Sequence, residues 1–207
     1  KGFEDNGYVL LGWSEAGFVY LMSTVPVASV ADLKKAKVWI CEDSPMSKAI
    51  FDEVGVKATP LSVPDVLVGL QTGIVEVVYA RPSGAISLQW FTKVKYVTDV
   101  PLIYLAAGVA VKKDVFKQIP QTSQNFVLES FGQQLDRLKT VTRNENRDAL
   151  KVMVKNGAKI ITSSKDQIDE YKRLSNKAMD QIRGHTFSKK VLEDVTSLLE
   201  NYRKGTK

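Results

Sequence analysis

The sequence predicts an α/β fold: a mixed, mostly parallel sheet flanked by helices. Three observations lead there. Between residues 29 and 98, short apolar segments rich in Val and Ile alternate with amphipathic segments at even spacing. The junctions carry cap and turn residues: Ser29, Ser44-Pro45, Gly55, Ser62 and Gly73. Residues 123–156 then keep a helical period with no proline and only Gly132.

The elements follow in order. Residues 9–13 read as a buried strand, apolar on both faces and ended by Gly12. Residues 17–23 read as a second strand, with Pro26 beyond its end. Ser29 and Asp32 form a capping box for a short helix over 30–34. Residues 37–41 are the next strand. Ser44-Pro45 opens a helix whose Met46, Ile50, Phe51 and Val54 share one face and which Gly55 stops. Residues 57–61 form a strand. Ser62 caps a helix with Val66, Leu67 and Leu70 on one face, ended by Gly73. Strands follow at 75–80, 95–98 and 102–111, with a helix or helical turn at 82–90. A short helix at 113–118 stops at Pro120. The long helix at 123–156 carries Phe126, Phe131, Leu135, Leu138, Leu150 and Val154. Its apolar spacing drifts off a heptad, which favours packing across a domain over a coiled coil. A strand at 159–162 and helices at 165–183 and 188–202 complete the chain.

Composition narrows the function. Of 207 residues, 44% are hydrophobic and 25% charged, the balance of an ordinary globular protein. No apolar run reaches the roughly 18 residues of a membrane span, and residues 1–7 lack the pattern of a signal peptide. The net charge of +6 comes from lysines scattered along helices, most with an acid nearby, so neither nucleic acid nor anionic lipid is expected as a partner. The basic C-terminal residues Lys189, Lys190, Arg203, Lys204 and Lys207 read as a solvated helix face and tail. The single cysteine, Cys41, permits no internal disulfide and reads as an apolar filler at a strand end. With one cysteine and one histidine, His185 in a polar turn, neither a His/Cys zinc site nor a Cys-His pair has material. Phosphate loops and the Gly-x-Ser-x-Gly elbow are absent. The acidic neighbours Glu42-Asp43 and Asp52-Glu53 read as solvated. No enzyme activity, metal or cofactor is expected.

Several runs carry a family resemblance. They are Ser-Val-Ala-Asp-Leu-Lys-Lys-Ala-Lys-Val-Trp at 29–39, Leu-Gln-Thr-Gly-Ile-Val-Glu-Val at 70–77 and Lys-Tyr-Val-Thr at 95–98. The chain resembles the DctP-type solute-binding subunit of TRAP transporters from about residue 8 to residue 200, most strongly over 29–112. Ala36 stands where the family has glycine, Trp39 where it has arginine, and Glu76-Val77 where it has Asp-Gly. The resemblance implies a periplasmic binding protein-like lobe over 13–105. Residues 106–207 would supply a return strand of the first lobe, a long spanning helix and C-terminal helices. The N-terminal part of that first lobe has no counterpart here. Apolar surface left by it would be covered by a partner chain or in a domain-swapped dimer.

The resemblance also implies a periplasmic location, with or without a lipid anchor. Further implied partners are a membrane permease and, in a subset, a helical-repeat periplasmic protein. The site would lie in a cleft beyond the strand C-termini that closes by a hinge. The residues expected there are Phe18, Val19, Trp39, Val63, Tyr79, Ala80, Arg81 and Tyr104. In the family, arginines commonly fall at Trp39 and near Val19, and a polar residue at Ala80. Apolar residues in all three places point to a hydrophobic or amphipathic ligand, with Arg81 the nearby cation for an acidic head. Each of these side chains also suits a core or surface role. The competing reading is an interaction protein that keeps the fold and binds no ligand.

Overall fold

The computed structural model of the protein describes residues 2–42, 44–182 and 188–205. In chain order these form α1 (Gly2–Asp5), β1 (Tyr8–Ser23), α2 (Val30–Lys35), β2 (Val38–Cys41), α3 (Pro45–Val54), β3 (Ala58–Leu61), α4 (Val66–Thr72), β4 (Val77–Ala80) and α5 (Pro82–Ser87). Then come β5 (Tyr96–Thr98), β6 (Ile103–Lys112), α6 (Lys113–Phe116), α7 (Gln121–Lys155), β7 (Lys159–Ile161), α8 (Lys165–Ile182) and α9 (Lys189–Gly205). Single 3₁₀ turns at Val63–Asp65 and Trp90–Thr92 precede α4 and β5.

The sheet runs β3-β2-β4-β1-β5-β7, with β6 on β1. β1 is antiparallel to β4, β5 and β6, while β2 is parallel to β3 and β4, and β5 to β7. All described strands except β1 therefore run one way. β1 plays two parts. Its first stretch pairs only with β6, from Tyr8 opposite Lys112 to Val19 opposite Ile103. Its last residues enter the sheet, with Tyr20 opposite Ala80 and Met22 opposite Val97.

Two apolar layers close on the sheet. On one face Met22, Trp39, Val78 and Val97 pack with Leu70, Ala85, Trp90 and Met153, under α4, α5 and α7. On the other, Leu21, Val38, Ile40 and Val77 pack with Leu33 of α2, Phe51 and Val54 of α3, and Leu174 of α8. Burial of both faces explains why the central strands are continuous Val and Ile runs instead of alternating ones. The caps act as expected. The Ser29 hydroxyl accepts from Asp32 N at 3.1 Å, and Asp32 Oδ2 accepts from Ser29 N at 3.0 Å. Ser44 Oγ accepts from Ser47 N, and Gly55 and Gly73 take left-handed conformations that stop α3 and α4.

Several expectations need correction. Residues 9–13 and 17–23 are one strand, not two, because Gly12 and Gly17 sit in irregularities that bend the ladder without ending it. The start of β1, through Trp13, is not buried: Trp13 is 53% exposed. β6 is likewise mostly exposed and not a core strand. Both differences have one cause: this two-stranded ribbon has α7 on one side, while on the other the four-residue α1 covers it only in part, with Phe3 edge-on to Trp13 at 5.9 Å. The Ser62 hydroxyl donates to the Asp65 carboxylate and caps no backbone group. The helix expected over 82–90 stops at Ser87, where Gln89 takes a positive φ of 58°. α1 was not foreseen. His185, Asp43 and Lys207 lie outside the described residues.

α7 fixes the bend in β1. At Gly17, with φ of +98°, an added Cβ would lie 2.8 Å from Asn146 Nδ2; at Gly12 it would lie 2.7 Å from Leu135 Cδ1. Gly17→Ala should therefore lower stability by about 1–3 kcal/mol in a urea titration, through a positive φ and the displaced amide. Gly132 lies inside α7 with open space around it. Gly132→Ala should raise stability by about 0.5–1 kcal/mol. Equal effects at the two positions would show that the bend is not clamped.

Candidate ligand-binding site

The carboxyl ends of β2, β3 and β4 meet at one edge of the sheet, at Cys41, Leu61 and Ala80. Because β1 runs the opposite way, it delivers Phe18 and Val19 to the same edge, opposite the residues that follow Ala80. In open α/β sheets such an edge is where ligands bind.

Two aromatic residues close much of this edge. Trp39 is 3% exposed, stacks on Tyr79 with centroids 4.8 Å apart, and meets Trp90 edge-on at 5.4 Å. Its Nε1–H donates to the Leu61 carbonyl at 2.9 Å. The Tyr79 hydroxyl accepts from Cys41 N at 3.2 Å. The polar backbone groups that end β2 and β3 are thus answered by an indole and a phenol from within the chain. A guanidinium at position 39 would sit instead in an apolar layer.

The eight expected residues do not share one open surface. Trp39 and Val19, at 3% and 4% exposure, lie in the core and not on an open wall. Their burial follows from the Trp90 and Leu61 contacts of Trp39 and from the sheet face that Val19 occupies. Tyr79 and Ala80 are half-buried and pack against the same core. Phe18 and Tyr104 do face outward together, 47% and 46% exposed, edge to face at 4.9 Å. Val63 is exposed on the turn after β3. Arg81 N-caps α5 without a side-chain cap bond, and its Nη1 donates to the Ala16 carbonyl at 3.4 Å, which ties the guanidinium to the bend of β1, two residues before Phe18.

Sequence reading missed a polar junction at this edge. Asn146 of α7 accepts from Ser83 N and Oγ at 3.2 and 2.9 Å and donates to the Ala16 carbonyl at 3.1 Å. One side chain thereby joins α7, the start of α5 and the bend of β1. Nearby, Arg143 grips the buried Glu15 carboxylate through Nε and Nη2, the latter at 3.0 Å. Among the described residues no cluster of three His, Cys, Asp or Glu is placed to hold a metal, and no helix is long and apolar enough to cross a membrane.

The family model of DctP, described as bacterial extracellular solute-binding protein family 7, matches residues 1–185. The chain belongs to this family. It is a family of transport solute-binding proteins that work outside the cytoplasm. Solved structures share the fold. A TRAP periplasmic solute-binding protein from Desulfovibrio salexigens with bound orotic acid is 17% identical at TM-score 0.84, over 98% of this chain and 65% of that one. One from Xanthobacter autotrophicus Py2 with bound β-D-galacturonate is 18% identical at TM-score 0.83, over 96% and 64%. The extracytoplasmic solute receptor DctP7 of Bordetella pertussis, which binds pyroglutamic acid, is 20% identical at TM-score 0.81, over 97% and 64%. The chain thus spans just under two-thirds of each of these proteins. No curated protein matches it.

The aromatic closure makes two expectations measurable. Tyr79→Phe should cost about 1–2 kcal/mol in chemical denaturation, because it strips the Cys41 N–H of its acceptor. Trp39→Arg should cost more, about 3–5 kcal/mol, because the new charge enters an apolar layer without a carboxylate partner. A Trp39→Arg variant of unchanged stability would mean that position 39 opens to solvent.

Proposed function

We propose that this protein is the solute-binding part of a TRAP-type transporter and that its cleft takes an amphipathic ligand. The observation that carries the reading is the exposed Phe18–Tyr104 pair, with Arg81 tied to the bend of β1, at an edge whose backbone groups Trp39 and Tyr79 already satisfy. An apolar body would lie on the two rings, at about 25 cal/mol per Å² of apolar surface removed from water. A single carboxylate would meet Arg81.

Closure follows from the same layout in this reading. Residues 13–105 form one lobe, and the ribbon of β1 and β6 with α7 leads to another. Bending would fall at Glu15–Gly17, where Asn146 and Arg143 hold β1. The ligand would shift an open–closed balance, and the closed form would be the one a membrane permease recognises. The thinly covered side of the ribbon, where Trp13 is exposed beside Phe3 of α1, is where further polypeptide of the first lobe would pack.

Calorimetric titration of the full-length protein tests this. Octanoate and phenylacetate should bind at least about tenfold more tightly than galacturonate or orotate. Arg81→Ala should weaken octanoate about tenfold or more. Tighter binding of galacturonate or orotate would overturn the amphipathic ligand. A protein that purifies empty and binds none of the four would favour the competing reading, an interaction protein that keeps the fold.

A further inference from the structure

A second cavity, of about 640 Å³, lies on the sheet face opposite α7. Its walls are mostly apolar, with Leu21 of β1, Ile50 and Phe51 of α3, Tyr79 of β4, Leu102 before β6 and Tyr171 of α8, and they also carry Ser47, Ser175 and Asn176. The volume falls in the range of sites for small organic ligands, about 300–1,000 Å³. Charged groups stand among the lining residues as well: Lys172 of α8, which also pairs with Asp169 at 3.5 Å, Arg203 of α9, and the carboxylate of Asp99.

Three features mark this cavity as more than loose packing. It opens to solvent between α3, α8 and the segment before β6, over a layer in which Leu21, Phe51 and Val54 are buried. The Tyr171 hydroxyl is buried with no hydrogen-bond partner, so the wall holds an unmet polar group. Burial, with Asp32 close by, pushes that phenol well above its usual range, as a dry surrounding does. Tyr79 also joins the cavity to the strand edge, since it lines the one and stacks on Trp39 at the other.

We infer that the cavity between α3, α8 and the segment leading into β6 is a second ligand site, for the apolar chain of a monocarboxylate whose head meets Lys172 and Arg203. This site is separate from the Phe18–Tyr104 cleft and stands whether or not that cleft binds a solute. Occupancy fills the gap between α3 and α8 and ties the segment before β6 to both. Through Tyr79 it also stiffens the end of β4.

The test is titration of decanoate and decanol below their aggregation limits, on the full-length protein and four variants. In a Phe18→Ala background, which removes the cleft's contribution, Ile50→Trp and Leu102→Trp fill the cavity and should weaken both probes at least about tenfold. Lys172→Gln should weaken decanoate about fivefold and leave decanol unchanged. Phe18→Ala should leave the cavity-bound fraction intact. A decanoate analogue bearing a photoreactive diazirine should label peptides of α3 and α8, which reports the site even if a tryptophan variant fails to fold. The inference is overturned if the wild type binds neither probe, or if the label falls only on β1 and β6. It is also overturned if folded cavity-filling variants bind as Phe18→Ala alone does. Loss of decanoate binding in Phe18→Ala alone would place the chain in the cleft. That result would sink the second site while supporting the cleft.

Discussion

The arrangement turns on how β1 changes partners. A strand of 16 residues leaves a two-stranded ribbon and enters the centre of a sheet, and its ladder shifts register where Glu15 gives way to Gly17. A bend there exposes backbone groups that a straight strand would pair. α7 answers them. Asn146 takes the Ala16 carbonyl and Arg143 takes the Glu15 carboxylate. Gly17 is needed because any side chain would displace the Asn146 amide. The same amide holds the start of α5, so the position of Arg81 is set by the junction as much as by its own strand.

The strand edge beyond this junction is unusual in being answered from inside. An indole N–H and a phenol oxygen satisfy the last backbone groups of β3 and β2. Each bond contributes only about 1 kcal/mol net, but leaving either group buried and unmet would cost more. The edge therefore presents rings in place of bare peptide at the ends of β2 and β3.

Much of the fold was legible in the sequence. Ser29 with Asp32, Ser44 with Pro45, and the glycines at 55 and 73 place helix ends by local chemistry, and the structure keeps them. Local signals failed where long-range packing decides. Gly12 and Gly17 look like strand ends, yet a helix more than a hundred residues later uses them as openings for Leu135 and Asn146. The apolar run at 102–111 looks like a core strand, but apolar content does not reveal whether a second layer exists. At the site, sequence could place Phe18, Tyr104 and Arg81 near one edge. It could not tell that Trp90 would draw Trp39 inward, since that contact spans two layers. Asn146 gave no signal, being one polar residue among many on a long helix.

The ribbon of β1 and β6 has a dynamic consequence. A two-stranded ribbon covered by α7 and, only in part, by the short α1 holds its hydrogen bonds less firmly than a sheet closed on both faces. Backbone amides of Tyr8–Ser14 and their β6 partners should trade deuterium early, while those of Leu21, Val77 and Val97 wait for global opening. The polypeptide thus contains a soft arm and a hard body, and the transition between their exchange rates falls at the residues that Asn146 and Arg143 hold.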